Sequence, residues 1–332
     1  MIVQANDPRI TWQGIISLEV TEDFVKPWRI PFNDRELFPP KEMLERASAP
    51  AGVRLSFHTN SIFILGEIEN CQSEDTAFLD VFCNGVFHES ILISDANEFK
   101  VRNLPYGENL VEIWLPQFTE FRLKSLSFDK NSSLRPFIDD RPKWITYGSS
   151  ITHCKTAEKP SLTWPSIVAR EHALNLTCLG YAGNCHLEPM IAMMIRDTPA
   201  DFISLKLGIN VHNHASMSER TFIPSVIGFI KVIREKHPLI PIVVISPIFS
   251  PPREHTDNSA GLNLEIMRMQ IKSCVKKLNT QGDLNLHYVD GLDLFGPEYA
   301  HLLPDDLHPN VEGYKMLAQN FLKRVVRPFS KN

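Results

Sequence analysis

No apolar run in this 332-residue chain approaches the roughly 18 uncharged residues that a membrane span requires. Residues 1–12 have neither a basic head nor an apolar signal core. The chain is therefore expected to work in the cytoplasm with no membrane partner. A basic excess is also missing, since 34 Lys and Arg stand against 39 Asp and Glu, and the surplus of acid lies within the first 138 residues. Neither half has the cationic footprint that a phosphate backbone demands, which excludes nucleic acid as a partner. The six cysteines, Cys71, Cys83, Cys154, Cys178, Cys185 and Cys274, form no CxxC pair, and several sit inside apolar runs, so they read as reduced thiols and not as a disulfide framework. The 24 prolines build no PxxP-rich tail, and there is neither an internal repeat nor a low-complexity segment, so a scaffold role has no support. What is present is a 43% hydrophobic composition, enough for two cores in two domains of about 150 residues each.

The two halves have different periods. Up to about residue 137 the chain reads as short strands at 14–20, 52–58, 61–68, 77–82, 86–93, 110–116 and 121–128, with one short helix at 40–47. Alternation in Val53-Arg54-Leu55-Ser56-Phe57-His58 marks a sheet with one face in a core, and Asn84-Gly85 is a hairpin signal, so an antiparallel sandwich is expected. From residue 142 on, apolar strands at 144–148, 174–182, 202–208, 240–248 and 284–289 alternate with helical patterns at 161–172, 187–195, 217–236, 261–278 and 309–326. In the fourth helix Leu264, Met267, Ile271, Cys274, Val275 and Leu278 fall on one stripe. Five such repeats predict a three-layer α/β/α domain on a five-stranded parallel sheet, with ligands at the carboxyl ends of its strands. The domains are placed at 1–138 and 139–332, with residues 131–142 as the linker.

Those strand ends carry the chemistry. The first runs into Gly148-Ser149-Ser150-Ile151, which offers a hydroxyl at the sheet edge, although Ser149 or Ser150 alone could simply cap a turn. The second ends in Gly180-Tyr181-Ala182-Gly183-Asn184 and the third in Gly208-Ile209-Asn210-Val211, adding a glycine N–H and an amide to the same rim. Near the C-terminus Asp305-Asp306-Leu307-His308-Pro309 precedes the last helix, and an acid and an imidazole three residues apart can share one side of a turn. Together these supply a nucleophile, a base, an orienting carboxylate and oxyanion donors, the set that acyl transfer through a serine ester needs.

On these motifs residues 143–327 resemble the SGNH hydrolases, the GDSL-type esterase superfamily. The resemblance implies Ser150 as nucleophile, Asp305 and His308 as acid and base, and Ser150, Gly183 and Asn210 as the oxyanion hole. Ser149 departs from the usual Asp and Val211 from a frequent one, which points to a subgroup. The first half is similar to the jelly-roll modules preceding the catalytic domain in certain carbohydrate esterases and in an acyltransferase-like member from aromatic polyketide biosynthesis. Asn184, Glu188 and His212 each follow a strand end by a few residues and are candidates for the pocket wall. His212-Asn213-His214, with His186 and Cys185 nearby in sequence, lacks the spacing of a zinc signature, so neither a metal nor another cofactor is expected. Cys154 has no separately paired base in the pattern. Trp12, Trp28, Trp114, Trp144 and Trp164 read as core rather than as sugar-stacking platforms. The expected function is a serine esterase or acylhydrolase cleaving a small carboxylic ester, such as an O-acetyl sugar or a metabolite ester. The alternatives are an acyltransferase using the same residues, or a non-catalytic glycan- or partner-binding protein.

Overall fold

The computed structural model describes residues 1–70 and 76–329, so Cys71 lies outside the described residues. The chain forms two compact units. The first is Met1–Arg141 with Glu158–Ser166 and Asn175–Cys178, and the second comprises Pro142–Ala157, Ile167–Leu174 and the chain from Leu179 onward.

The first unit is a β-sandwich of two six-stranded sheets. One runs Ser17–Val20, Val25–Trp28, Leu123–Phe128, Ile64–Ile68, Glu98–Val101, with Ile2–Gln4 also paired to Leu123–Phe128. The other runs Leu134–Pro136, Arg54–Thr59, Asn109–Trp114, Phe78–Cys83, Val86–Leu92, with Thr11–Gln13 on Arg54–Thr59. The alternating positions Leu55, Phe57, Leu79, Val81, Val111 and Ile113 all enter one buried cluster. The hairpin between Phe78–Cys83 and Val86–Leu92 turns at Asn84 and Gly85, both in the left-handed region at φ 51° and 78°, as a type I′ turn requires. The helix expected at 40–47 is present as Lys41–Ser48. Residues 131–142, expected as a linker, differ from that reading. Leu134–Pro136 pairs antiparallel with Arg54–Thr59 as an edge strand, where proline is tolerated, and Asp139 accepts bonds from Gln13 and Arg141.

Asp139 belongs to an ion cluster around Arg54, whose side chain is fully buried 3.4 Å from Asp139 and 3.6 Å from Glu112. Arg54 also donates to Asn175 Oδ1 at 2.8 Å. Burial, followed by the neighbouring Arg141, pulls the Arg54 guanidinium down to about 10, with Glu112 and Asp139 opposing. At neutral pH it is still charged, so deleting it strands two half-committed carboxylates.

A five-stranded sheet runs in the order Asn175–Gly180, Lys143–Gly148, Phe202–Lys206, Ile242–Ile245, Leu286–Val289, and the last four of these strands lie in the second unit. Neighbouring strands from Lys143–Gly148 through to Leu286–Val289 pair in parallel. Helices cover both faces, which is why Ile242–Ile245 is buried at all four positions. The predicted stripe of Leu264, Met267, Ile271, Cys274, Val275 and Leu278 is the buried side of the helix Leu264–Thr280. Trp144 packs against Phe202 and Phe321 on one face, and Tyr147 stacks on Phe229 at 5.1 Å on the other. Trp114, Trp144 and Trp164 are fully buried, which makes them core residues and not sugar platforms. The five described cysteines are buried and form no disulfide, and no described helix is long and apolar enough to cross a membrane.

The Arg54 cluster gives a stability test. Arg54→Ala should lower stability by about 3 kcal/mol, because it leaves buried charge without its partner and opens a cavity. Urea unfolding of the full chain, followed by tryptophan fluorescence, will show this as a lower midpoint; an unchanged midpoint would mean that Arg141 alone satisfies both acids.

Candidate active site

The strand Lys143–Gly148 ends where the chain must fold back at once. A Cβ on Gly148 would lie 2.3 Å from Thr152 Oγ1, so only glycine lets the helix Ser150–His153 close over the strand end. Ser149 is the N-cap, its Oγ accepting from Ile151 N at 3.3 Å. Capping therefore falls to Ser149, and Ser150, the first helical residue, keeps its hydroxyl for another partner. That partner is His308, with Ser150 Oγ 2.8 Å from Nε2.

His308 is fixed from behind by Asp305. Oδ2 lies 2.6 Å from His308 Nδ1, while Oδ1 accepts from the backbone N–H groups of His308 at 2.7 Å and Leu307 at 3.1 Å. A carboxylate only accepts, so the imidazole proton sits on Nδ1 and the Nε2 lone pair faces the Ser150 hydroxyl. Burial pushes the Asp305 carboxyl up, but the hydrogen bonds from His308 outweigh it and leave the group below the usual carboxylate range, charged at neutral pH. The turn is held by Asp306, in the left-handed region at φ 57°, whose carbonyl accepts from Ser250 Oγ at 2.7 Å. Asn310 then caps the helix Val311–Phe321 by accepting from Gly313 N. Thr156, in the stretch that follows the Ser150 helix, donates to Pro309 O and lies 3.0 Å from Tyr314 OH, which ties the serine and histidine segments together.

The three donors expected of the oxyanion hole are open. Ser150 N–H has no helical acceptor because it begins the helix. Gly183, at φ 75°, sits in a turn closed by Asn184 N to Tyr181 O at 3.0 Å, and nothing lies within 4 Å of where its Cβ would stand. Asn210, in the helix Ile209–His214, accepts from Cys185 N through Oδ1 at 3.1 Å, which turns Nδ2 outward as a donor. Among the described residues neither backbone N–H nor the amide Nδ2 finds a protein acceptor. Hydrogen-bond donors left without acceptors suit an oxygen that acquires negative charge.

The other candidates have definite places. Asn184 is nearly buried and donates to Ala182 O at 2.8 Å. Glu188 holds Tyr147 OH at 2.9 Å and His186 N at 3.1 Å, and burial pushes its carboxyl up; both oxygens are thus engaged by the protein. His212 is buried with Nε2 3.4 Å from Thr256 O. His214 meets His186 edge to face, and His186 Nε2 lies 2.9 Å from Gly183 O, which steadies the turn carrying the Gly183 N–H. Among the described residues no three His, Cys, Asp or Glu side chains gather as metal ligands would. Cys154 is buried with Sγ 3.2 Å from Ile151 O.

Sequence reasoning passed over Lys206. Its side chain is 4% exposed at the end of Phe202–Lys206, with Cβ 3.5 Å from the missing Cβ of Gly148. A lone lysine in the otherwise apolar Phe202-Ile203-Ser204-Leu205-Lys206-Leu207 was a legible signal. Burial pulls its ammonium down to about 8, against the partial opposition of the Cys185 and Cys154 thiols. Below that pH both folded and unfolded chains hold the proton and the full cost of the buried charge is present. Between about 8 and the ordinary value of 10.5 the unfolded chain alone holds it, so stability rises with pH. Lys206→Met should therefore stabilise the protein by roughly 3 kcal/mol at pH 7, a gain that shrinks from pH 8 upward. Urea midpoints at pH 7 and pH 10 check it, and equal gains at both would contradict it.

Residues 142–327 match the GDSL-like lipase/acylhydrolase family, and residues 10–124 match the SsfX3 N-terminal domain. Among solved structures the chain is similar to the salicylyl-acyltransferase SsfX3 from a tetracycline biosynthetic pathway, at 33% identity and a TM-score of 0.92, over 99% of this chain and 98% of that one. A putative GDSL-like lipase from Bacteroides ovatus shares 21% identity and a TM-score of 0.78, covering 98% of this chain and 97% of its own. A family two carbohydrate esterase from Clostridium thermocellum shares 13% identity and a TM-score of 0.69, covering 96% and 98%; these two show the fold alone. A search of curated proteins finds no match. With its family match spanning more than half of the residues, and a relative one-third identical along almost the whole length, the chain belongs to the GDSL-like lipase/acylhydrolase family.

Proposed function

We propose that the protein is a serine esterase that cleaves a small carboxylic ester through an acyl-enzyme on Ser150. The observation that carries this reading is the 2.8 Å approach of Ser150 Oγ to His308 Nε2, with Asp305 behind the ring at 2.6 Å. His308 takes the Ser150 proton as Oγ attacks the ester carbonyl, and Asp305 stabilises the imidazolium that results. The carbonyl oxygen, now an oxyanion, is held by the N–H groups of Ser150 and Gly183 and by Asn210 Nδ2. Collapse breaks the ester C–O bond, and His308 returns its proton to the departing alcohol. Water, deprotonated by the same imidazole, then frees the acid and restores Ser150.

Acyl transfer is the second reading. It differs only in the last step, where an alcohol replaces water, and it is favoured by the likeness to the salicylyl-acyltransferase over nearly the full chain. A purely binding role finds less support, because a binding protein has no need for a serine and a histidine 158 positions apart to meet within hydrogen-bond distance.

Labelling by a fluorophosphonate probe and release of p-nitrophenol from short p-nitrophenyl esters test the reading. Ser150→Ala should abolish both, and a variant that still turned over at the wild-type rate would place the nucleophile elsewhere. Asn210→Ala should fold normally and lose about 10² to 10³ in kcat, the typical effect of removing one oxyanion donor. Asp305→Asn should cost about 10⁴ in kcat by disturbing the tautomer. Adding a competing alcohol and quantifying ester against free acid separates transfer from hydrolysis.

A further inference from the structure

Arg253 stands where three parts of the site meet. Its Nε donates to Asn213 Oδ1 at 2.9 Å, on the helix that carries Asn210. Its Nη1 donates to Ser250 Oγ at 3.0 Å and reaches Asp306 O at 3.4 Å, on the turn that carries Asp305 and His308. All three acceptors are uncharged oxygens. By contrast Arg196, Arg234 and Arg268 of the same unit each rest on a carboxylate. The neighbouring Glu254 pairs with Arg268, and Asp305 of the turn that Arg253 touches holds His308. Among the described residues no acceptor takes either proton of Nη2.

We propose that Arg253 is an anion-reading residue of the substrate site, and that the ester it selects carries a carboxylate or phosphate, which docks on Nη2 while the carbonyl lies at Ser150. A guanidinium held rigid by neutral partners keeps its full charge and loses little side-chain freedom when an anion arrives. Because the arginine is half-buried, water screens that charge less than at an open surface. The same hydrogen bonds place the anion-binding group at a fixed offset from both Asn210 and His308, so a charged substrate is oriented as well as held. The inference rests on the ester-cleaving reading above, but its binding arm does not require turnover.

The binding arm uses Ser150→Ala protein and calorimetry with phenyl phosphate and with benzoate, which distinguishes phosphate from carboxylate. At least one should bind, and adding Arg253→Met should weaken it tenfold or more, with partial recovery in Arg253→Lys. The kinetic arm compares kcat/KM for p-nitrophenyl hemisuccinate and p-nitrophenyl pentanoate, near-equal in length and different in charge. The wild-type preference for the anionic ester should fall tenfold or more in Arg253→Met, and Arg253→Lys, which keeps the charge, serves if the methionine variant folds poorly. Binding of neither anion, or a charge preference indifferent to Arg253, would overturn the proposal. Failure of the esterase reading looks different: neither ester is cleaved and no fluorophosphonate label appears, while the Arg253-dependent anion affinity persists.

Discussion

The hydrogen bond between Ser150 and His308 joins residues from the first strand end and the last helix entry of the second unit, and it exists only because a parallel sheet delivers all its strand ends to one edge. The strand order brings Lys143–Gly148 beside Phe202–Lys206, so the Ser150 turn and the Asn210 helix start from neighbouring strands. The far strand, Leu286–Val289, must then send the chain back toward the same rim, and the capped helix Val311–Phe321 anchors the returning turn. Side-chain ties refine what topology places roughly: Thr156 to Pro309, Ser250 to Asp306, Cys185 N–H to Asn210. A hydrogen bond of 2.8 Å between Ser150 and His308 tolerates little drift, and these ties limit it.

The core of this arrangement was legible because it is written locally. Five apolar runs, the heptad-like stripe from Leu264 to Leu278 and the motif residues at strand ends each signal through near neighbours. The sandwich strands that escaped notice, Ile2–Gln4, Thr11–Gln13, Val25–Trp28, Glu98–Val101 and Leu134–Pro136, have three or four residues, too few to show a period, and two of them contain proline. Their pairing comes from partners distant in sequence, as Leu134 opposite Thr59 shows. The segment around Asp139 looked like a linker for the same reason: its contacts with Gln13 and Arg54 are invisible to a local reading.

In the site, the choice between Ser149 and Ser150 illustrates the limit. Both are strand-end serines, and only the backbone decides, since Ser149 is extended and caps while Ser150 is already helical. Glu188 and His212 were singled out by position alone, and the structure gives each a protein partner, Tyr147 and Thr256 respectively. Arg253 and Ser250 carried no motif at all. Their importance arises from a turn brought alongside Asp306 by the fold, a relation that no spacing within the chain encodes.

The neutral Ser149 cap has an electrical consequence. The interior on the sheet side of Ser150 contains an ammonium at Lys206 and a Glu188 carboxyl whose proton affinity burial raises, while Asp305, held below the usual carboxylate range, keeps about half of its side chain in solvent. Lys206 thus sets a positive charge below the strand end, while the carboxylate behind His308 faces water. On the esterase reading proposed above, negative charge that develops on an oxygen at Ser150 is drawn toward that buried ammonium.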